Sequence, residues 1–188
     1  MRVIAGKARR TALVAPPGQE TRPTSDRAKE GLFNIISHKI PGAVFLDIFA
    51  GGGAIGIEAL SRGAKEVVFI EQATAAVSAI ATNLSKTKLN GEVMKTSATT
   101  AISKLANSRY RFDIIFLDPP YDSFLLEETV KMLDGAGILA KGGLVIAETD
   151  ESREVNTEVI PLQNLVLSGT RKYGRALFLF FQPLEKQE

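Results

Sequence analysis

Two short stretches hold residues that could do chemistry together. The first is Asp118-Pro119-Pro120-Tyr121, directly after the apolar run Ile114-Ile115-Phe116-Leu117. Paired prolines fix φ and donate no N–H, which leaves the Asp118 carboxylate and the Pro119 carbonyl as preset acceptors. Two neighbouring acceptors suit a group with two donor hydrogens, an NH₂. The exocyclic amine of a base is planar, with its lone pair drawn into the ring. Hydrogen bonds directed out of that plane help free the pair to attack an electrophile. Tyr121 offers an aromatic face on which a base turned out of its stack can rest. The second stretch is Phe49-Ala50-Gly51-Gly52-Gly53-Ala54-Ile55-Gly56, in which Gly51, Gly53 and Gly56 keep a G-x-G-x-x-G spacing. Glycines there bring bare backbone close to a nucleotide-like ligand at a helix N-terminus. Glu71 follows Gly51 by twenty residues and closes another apolar run. An acid at that position can accept hydrogen bonds from both hydroxyls of a ribose.

Residues so far apart need elements that bring them to one place. The chain alternates between strand and helix patterns. Strands are predicted at Val44–Ile48, 67–70, Glu92–Lys95, 113–117, 143–148, 165–170 and 176–182. Helices are predicted near 54–62, 73–88, 99–106 and 125–133, with one more before the first strand, capped by Thr24 or Ser25 and carrying Ala28, Leu32, Ile35 and Ile36 as its apolar stripe. Such alternation implies an α/β fold, a mostly parallel seven-stranded sheet with helices on both faces. The closing hairpin, turning at Arg171-Lys172-Tyr173-Gly174-Arg175, makes the last strand antiparallel. Ligands in such sheets bind beyond the carboxyl ends of the strands, at the switch in strand order. Asp47 to Gly53, Glu71, Ser97-Ala98 and Asp118 to Tyr121 all fall at carboxyl ends and should converge. The turn after the sixth strand should open on the same rim.

Residues 1–20 read as a basic β-hairpin arm turning at Gly6, and residues 21–188 as one domain. Residues 1–31 carry seven basic side chains against three acidic, although the whole chain of 188 residues is only +2. A basic arm on a near-neutral body suits a polyanion. Arg9, Arg10, Arg22, Arg27, Arg171 and Lys172 are the candidate phosphate contacts. The chain has no cysteine, which excludes disulfides, thiolate metal sites and cysteine nucleophiles. No metal is expected. No apolar run approaches a membrane span, and MRVIAGKARR does not read as an export signal, so a cytoplasmic protein is expected. His38, alone of its kind, is expected on the surface.

FAGGGAIG with Glu71 resembles the S-adenosylmethionine site of Rossmann-like class I methyltransferases. DPPY resembles the [DN]-P-P-[YFW] motif of those that methylate planar amino groups. Taken in order, TRPTSDR, DIFAGGGAIGIEALSRGA, LDPPY and the late KYG resemble the bacterial 16S rRNA guanine-N(2) methyltransferases, the RsmD family, over nearly the whole chain. The resemblance implies methyl transfer from S-adenosylmethionine to the 2-amino group of one guanine in 16S rRNA, within the small ribosomal subunit or an assembly intermediate, by a monomer. It implies that Asp47, Phe49, Ala50, Gly51, Gly53, Glu71, Ser97, Ala98 and Asp118 surround the cofactor, and that Asp118, Pro119, Pro120 and Tyr121 hold the target base. Ser97 departs from the Asp or Asn that similar proteins often carry there, and Gly52 replaces a common Ser. The residues themselves also allow adenine methylation in DNA or methylation of a protein glutamine, and the glycine spacing allows a nicotinamide-dependent dehydrogenase.

Overall fold

Five consecutive residues, Val44–Ile48, form strand β1 because all but the first are buried and the run includes Phe45, Leu46 and Ile48. In the computed structural model, which describes residues 1–17, 25–120, 124–152 and 161–184, β1 is an interior strand, third in a seven-stranded sheet. The chain runs α1 (Asp26–Ile35), a short 3-10 turn (Ser37–Lys39), β1, α2 (Ala54–Ser61), β2 (Glu66–Glu71), α3 (Thr74–Thr87), β3 (Glu92–Lys95) and α4 (Ala98–Ala106). It continues through β4 (Phe112–Leu117), α5 (Leu125–Ala136), β5 (Leu139–Asp150), β6 (Leu165–Tyr173) and β7 (Ala176–Pro183). The sheet order is β3-β2-β1-β4-β5-β7-β6. Strands β1 to β5 pair in parallel, and β7 is antiparallel to both its neighbours. The order reverses between β1 and β4, so the cleft of this fold opens there.

Both faces of the sheet are covered. Leu32 and Phe33 of α1, Ile57 and Leu60 of α2, and Ile80 and Leu84 of α3 pack on Phe45, Phe69, Phe116 and Phe178. On the other face Ile102 and Leu105 of α4 and Leu126, Val130 and Leu133 of α5 pack on Leu46, Ile70, Leu117 and Phe181. Helix α1 starts where Ser25 accepts the Ala28 N–H and Asp26 meets the positive end of the dipole. Its buried side is wider than the stripe read from sequence: Lys29, Gly31 and Phe33 are buried, while Ile35 is only partly so.

Most strands start or end within a residue or two of the sequence reading; two boundaries differ by more, each for a backbone reason. Strand β5 begins at Leu139, ahead of Gly142-Gly143, because Leu139 already pairs with Phe112 before the register shifts at those glycines. Strand β6 runs on to Tyr173, so the hairpin turn is only Gly174-Arg175, with Gly174 at φ +63°. A two-residue hairpin turn of this kind needs positive φ. Arg171, Lys172 and Tyr173 are therefore strand residues, and successive ones point to opposite faces.

The N-terminal residues fold back as a short antiparallel pair, with Arg2 bridging Ala12. The pair is docked on the sheet's helices rather than projecting from them. Val3, Ala8 and Leu13 are buried in the same core as α1 and α2. The N–H groups of Ile4 and Ala5 donate to the two carboxylate oxygens of Glu58 at 2.8 and 3.0 Å. Glu58 is 0% exposed and also pairs with Lys29 at 3.2 Å and Arg62 at 2.7 Å. Lys29 in turn donates to the Arg2 carbonyl at 2.6 Å. Burial holds the Lys29 ammonium below the usual lysine range, and Glu58 opposes that fall. A Cβ on Gly6 would sit 1.8 Å from the Ser61 carbonyl oxygen, so the turn touches α2 through bare backbone.

Candidate active site

The glycine turn is shaped from three sides. Phe49, at φ +61°, ends β1 and turns the chain outward; a positive φ is uncommon for a bulky residue. Gly51 follows at φ +53° with open space where a Cβ would lie. Gly53, also left-handed, caps α2, and its N–H donates to the Ala50 carbonyl at 2.7 Å. A Cβ on Gly56 would lie 2.3 Å from the Phe69 ring, so this glycine lets α2 settle on β2. Asp47 fixes the same helix start: its Oδ2 accepts the Gly56 N–H at 2.9 Å. Glu71, at the end of β2, accepts the Gly51 N–H at 2.9 Å on one oxygen and the Ala73 N–H at 2.8 Å on the other. A carboxylate has about four acceptor sites, so two stay open while its position is set.

Asn83 completes the cradle. Fully buried on α3, its side-chain amide donates to the Val14 and Gly52 carbonyls at 2.9 and 2.8 Å and accepts the Val14 N–H at 2.8 Å. The N-terminal pair is thereby tied to the glycine turn. Nothing in the local sequence singled out Asn83.

Strand β4 delivers the second stretch. The Asp118 N–H donates to the Ile48 carbonyl at 3.3 Å, which holds the start of DPPY against the end of β1. The register pairs Asp47 with both Phe69 and Phe116, and Phe116 with Ile146. Two residues further along each strand, on the same face, come Glu71, Asp118 and Glu148. Four acids thus gather at the carboxyl ends of β2, β1, β4 and β5. Glu148 was missed from sequence, although it shares the signature of Asp47, Glu71 and Asp118, an acid at the end of a buried apolar strand. Pro119 is buried and Pro120 exposed; Tyr121 lies outside the described residues.

Crowding and burial shift these acids. Burial pushes the Asp47 carboxyl up to about 7, the Gly56 N–H opposing and Glu71 reinforcing the rise. Asp118 is raised well above the usual carboxylate range by burial first, then by Glu148 and Asp47. Such a set favours a positively charged guest or one rich in N–H donors.

The remaining candidates divide. Ser97 caps α4, its Oγ accepting the Thr100 N–H at 3.3 Å, and Ala98 opens that helix. Arg9, Arg10 and Arg27 are exposed, while Arg22 lies outside the described residues. Lys172 is ion-paired with Glu151. Arg171 shares the sheet face of α1 and lines a groove with His38, Lys39 and Phe180, away from the glycine turn. The rim expected from residues 171–175 as a single turn is therefore split, because strand alternation sends Arg171 and Lys172 to opposite faces. Among the described residues no cluster of histidine and acidic side chains is arranged to hold a metal.

The family model described as Conserved hypothetical protein 95 matches residues 1–182. The Ribosomal RNA small subunit methyltransferase D of Escherichia coli K12 is 39% identical over 97% of this chain and 89% of its own length. The protein of the same name from Haemophilus influenzae is 34% identical over 84% and 82%. Among solved structures, yhhF of Escherichia coli superposes with a TM-score of 0.83 at 35% identity, over 99% of either chain. With the glycine turn, the acid-ended strands and the DPP corner all in place, the chain belongs to the Conserved hypothetical protein 95 family, the RsmD family that its motifs resemble.

Proposed function

We propose that this chain methylates the 2-amino group of one guanine in 16S rRNA, in the small ribosomal subunit or a precursor of it. The coarser statement rests on the family: the chain is an rRNA methyltransferase that uses S-adenosylmethionine. The cradle fits that cofactor by its chemistry. The Glu71 carboxylate is held with acceptor sites open for ribose hydroxyls, Gly51 leaves space for an approach to the backbone, and the acids suit a sulfonium and an ammonium. Asp47, Phe49, Ala50, Gly51, Gly53, Glu71, Ser97 and Ala98 would hold it. When bound, S-adenosylmethionine supplies a methyl group already activated on a positive sulfur, so no metal is needed.

The remaining work belongs to the DPP corner. Asp118 and the Pro119 carbonyl accept the two amine hydrogens and turn the nitrogen lone pair out of the ring plane. As positive charge grows on that nitrogen, the same two oxygens stabilise it. By the resemblance, Tyr121 would supply the aromatic face for the base. Catalysis is then mainly positioning, with reacting atoms about 3–3.5 Å apart. The observation that carries the reading is the Asp118 N–H bond to Ile48, which holds the DPP stretch beside the end of β1 and its glycine turn, at the switch in strand order.

The test is incubation with tritiated S-adenosylmethionine and either hypomethylated small subunits, bare 16S rRNA or DNA, followed by nucleoside analysis. N2-methylguanosine from the small-subunit or rRNA sample is expected. Label in N6-methyladenosine, or none in nucleic acid, would overturn the reading.

A further inference from the structure

The DPP corner explains how an amino group is held but not which base carries it. Adenine and cytosine bear exocyclic amines too, and a glutamine side chain bears a comparable NH₂. The neighbouring strand holds a residue that can separate them. Glu148 is 1% exposed, stands one strand over from Asp118, and lies on the same face and level, because Leu117 pairs with Ala147 in parallel register. Adjacent strands are about 4.8 Å apart, so the two carboxyl groups leave the sheet side by side. On its other side Glu148 is opposite Phe178 of β7, whose ring contributes to the apolar floor.

Two acids placed together in a buried spot disfavour each other's charge. A guest that offers donors to both relieves that cost. Guanine presents N1–H directly beside its 2-amino group, two adjacent donors on one edge. Adenine has its amine beside the N1 lone pair, and cytosine has its amine beside the N3 lone pair. In a glutamine amide the NH₂ is flanked by the carbonyl oxygen. In each of those the atom next to the amine is an acceptor, which a carboxylate repels.

We propose that Glu148 is the specificity residue of this site, accepting the N1–H of the target guanine while Asp118 accepts its 2-amino group. This rests on the guanine-methylating reading above. Among the described residues, Asp118 stands beside Glu148 and feels its charge, Asp47 acts on Asp118 in turn, and Glu71 acts on Asp47. These neighbouring acids favour N–H groups and positive charge.

The test compares the wild-type protein with Glu148→Gln and Glu148→Asp. The substrates are hypomethylated small subunits and subunits whose methylated guanine, once mapped, is replaced by adenine. Glu148→Gln keeps the shape but offers an NH₂ toward the purine N1. It should reduce the guanine-over-adenine preference in methyl incorporation by roughly 10- to 100-fold, the discrimination carried by a well-placed base contact. Glu148→Asp keeps the charge, drawn back by one methylene, and should keep the preference while slowing turnover. The rise in melting temperature given by S-adenosylmethionine should be retained in both. An unchanged preference in Glu148→Gln, or loss of turnover on both bases with the cofactor shift intact, overturns the assignment. If Glu148→Gln does not fold, Glu148→Ala decides: its guanine-over-adenine preference should fall likewise, and an unchanged preference in that variant overturns the assignment. A wild-type protein that makes no N2-methylguanosine would instead bring down the proposed function, a distinguishable result.

Discussion

An aspartate in water is a weak base at neutral pH, but Asp118 is only partly exposed and stands beside other acids. Burial, Glu148 and Asp47, in that order, raise its carboxyl well above the ordinary range. Once ionised, it is therefore a stronger base than a surface aspartate and a better partner for a nitrogen acquiring positive charge. Asp118→Ala should lower methyl transfer by about 10²- to 10⁴-fold while leaving the thermal shift with S-adenosylmethionine largely intact. Near-normal turnover in that variant would remove Asp118 from the mechanism. Asp47 makes a separate, pH-dependent prediction. Its folded pKa, about 7, lies above the unfolded carboxylate value, so between about pH 4 and 7 the folded state binds the extra proton. Stability from this group is present below that window and is lost as pH rises through it. Asp47→Asn keeps an acceptor for the Gly56 N–H and removes the proton. The stability of the variant relative to wild type should rise from pH 4 to 7 by about 1.4 kcal/mol per unit at most, then level off, as read by urea midpoints. Because a cation favours the ionised acid, S-adenosylmethionine affinity in the wild type should rise with pH toward 7, and the Asn variant should flatten that rise.

At the level of elements, what was legible in the sequence had local signals. Strand β1 carries Asp47 just before its glycine turn, β2 ends in Glu71 and β4 is followed directly by Asp118, so each announces itself by an apolar run with an acid at or near its end. Their parallel order follows from the alternation with helices. The remainder depends on pairing that no local pattern states. Glu148 has the same signature, but its significance appears only when β5 is seen beside β4. Arg171 and Lys172 read as one basic turn until the Tyr173 to Ala176 pairing makes them strand residues on opposite faces. Asn83 reads as an ordinary helix residue, yet it joins two elements far from it in sequence, the N-terminal pair and the glycine turn. Asn83→Ala would leave the Val14 N–H and two carbonyls without that amide. A loss of about 2–4 kcal/mol is expected, with weaker S-adenosylmethionine binding because Gly52 is no longer held. A variant that loses stability but binds the cofactor as tightly as wild type would show that Asn83 supports the fold and not the cradle.

Across the whole molecule, the basic character of the N-terminal region is of two kinds, which sequence counts together. Lys29 is 1% exposed and paired with Glu58, so its charge is spent inside the protein holding the hairpin to α1 and α2. Arg2 is paired with Asp26 at the surface at 3.0 Å. Arg9, Arg10 and Arg27 remain exposed, and Arg9 and Arg10 follow the Gly6 turn that α2 anchors. If RNA phosphates are met by this region, the two kinds should separate in the same pair of measurements. Replacing Arg9 and Arg10 together by Ala should leave the melting temperature nearly unchanged. It should weaken rRNA binding and reduce the slope of log affinity against log salt by about 2, one unit for each lost phosphate contact. Lys29→Ala should do the reverse. Removing Lys29 from the buried pair leaves Glu58 with Arg62 as its remaining charge partner and costs up to about 3–5 kcal/mol, while at temperatures where the variant stays folded its salt slope should match wild type. A salt slope untouched by the double arginine change would mean that the exposed arginines face solvent, and that the RNA lies against another surface of the protein.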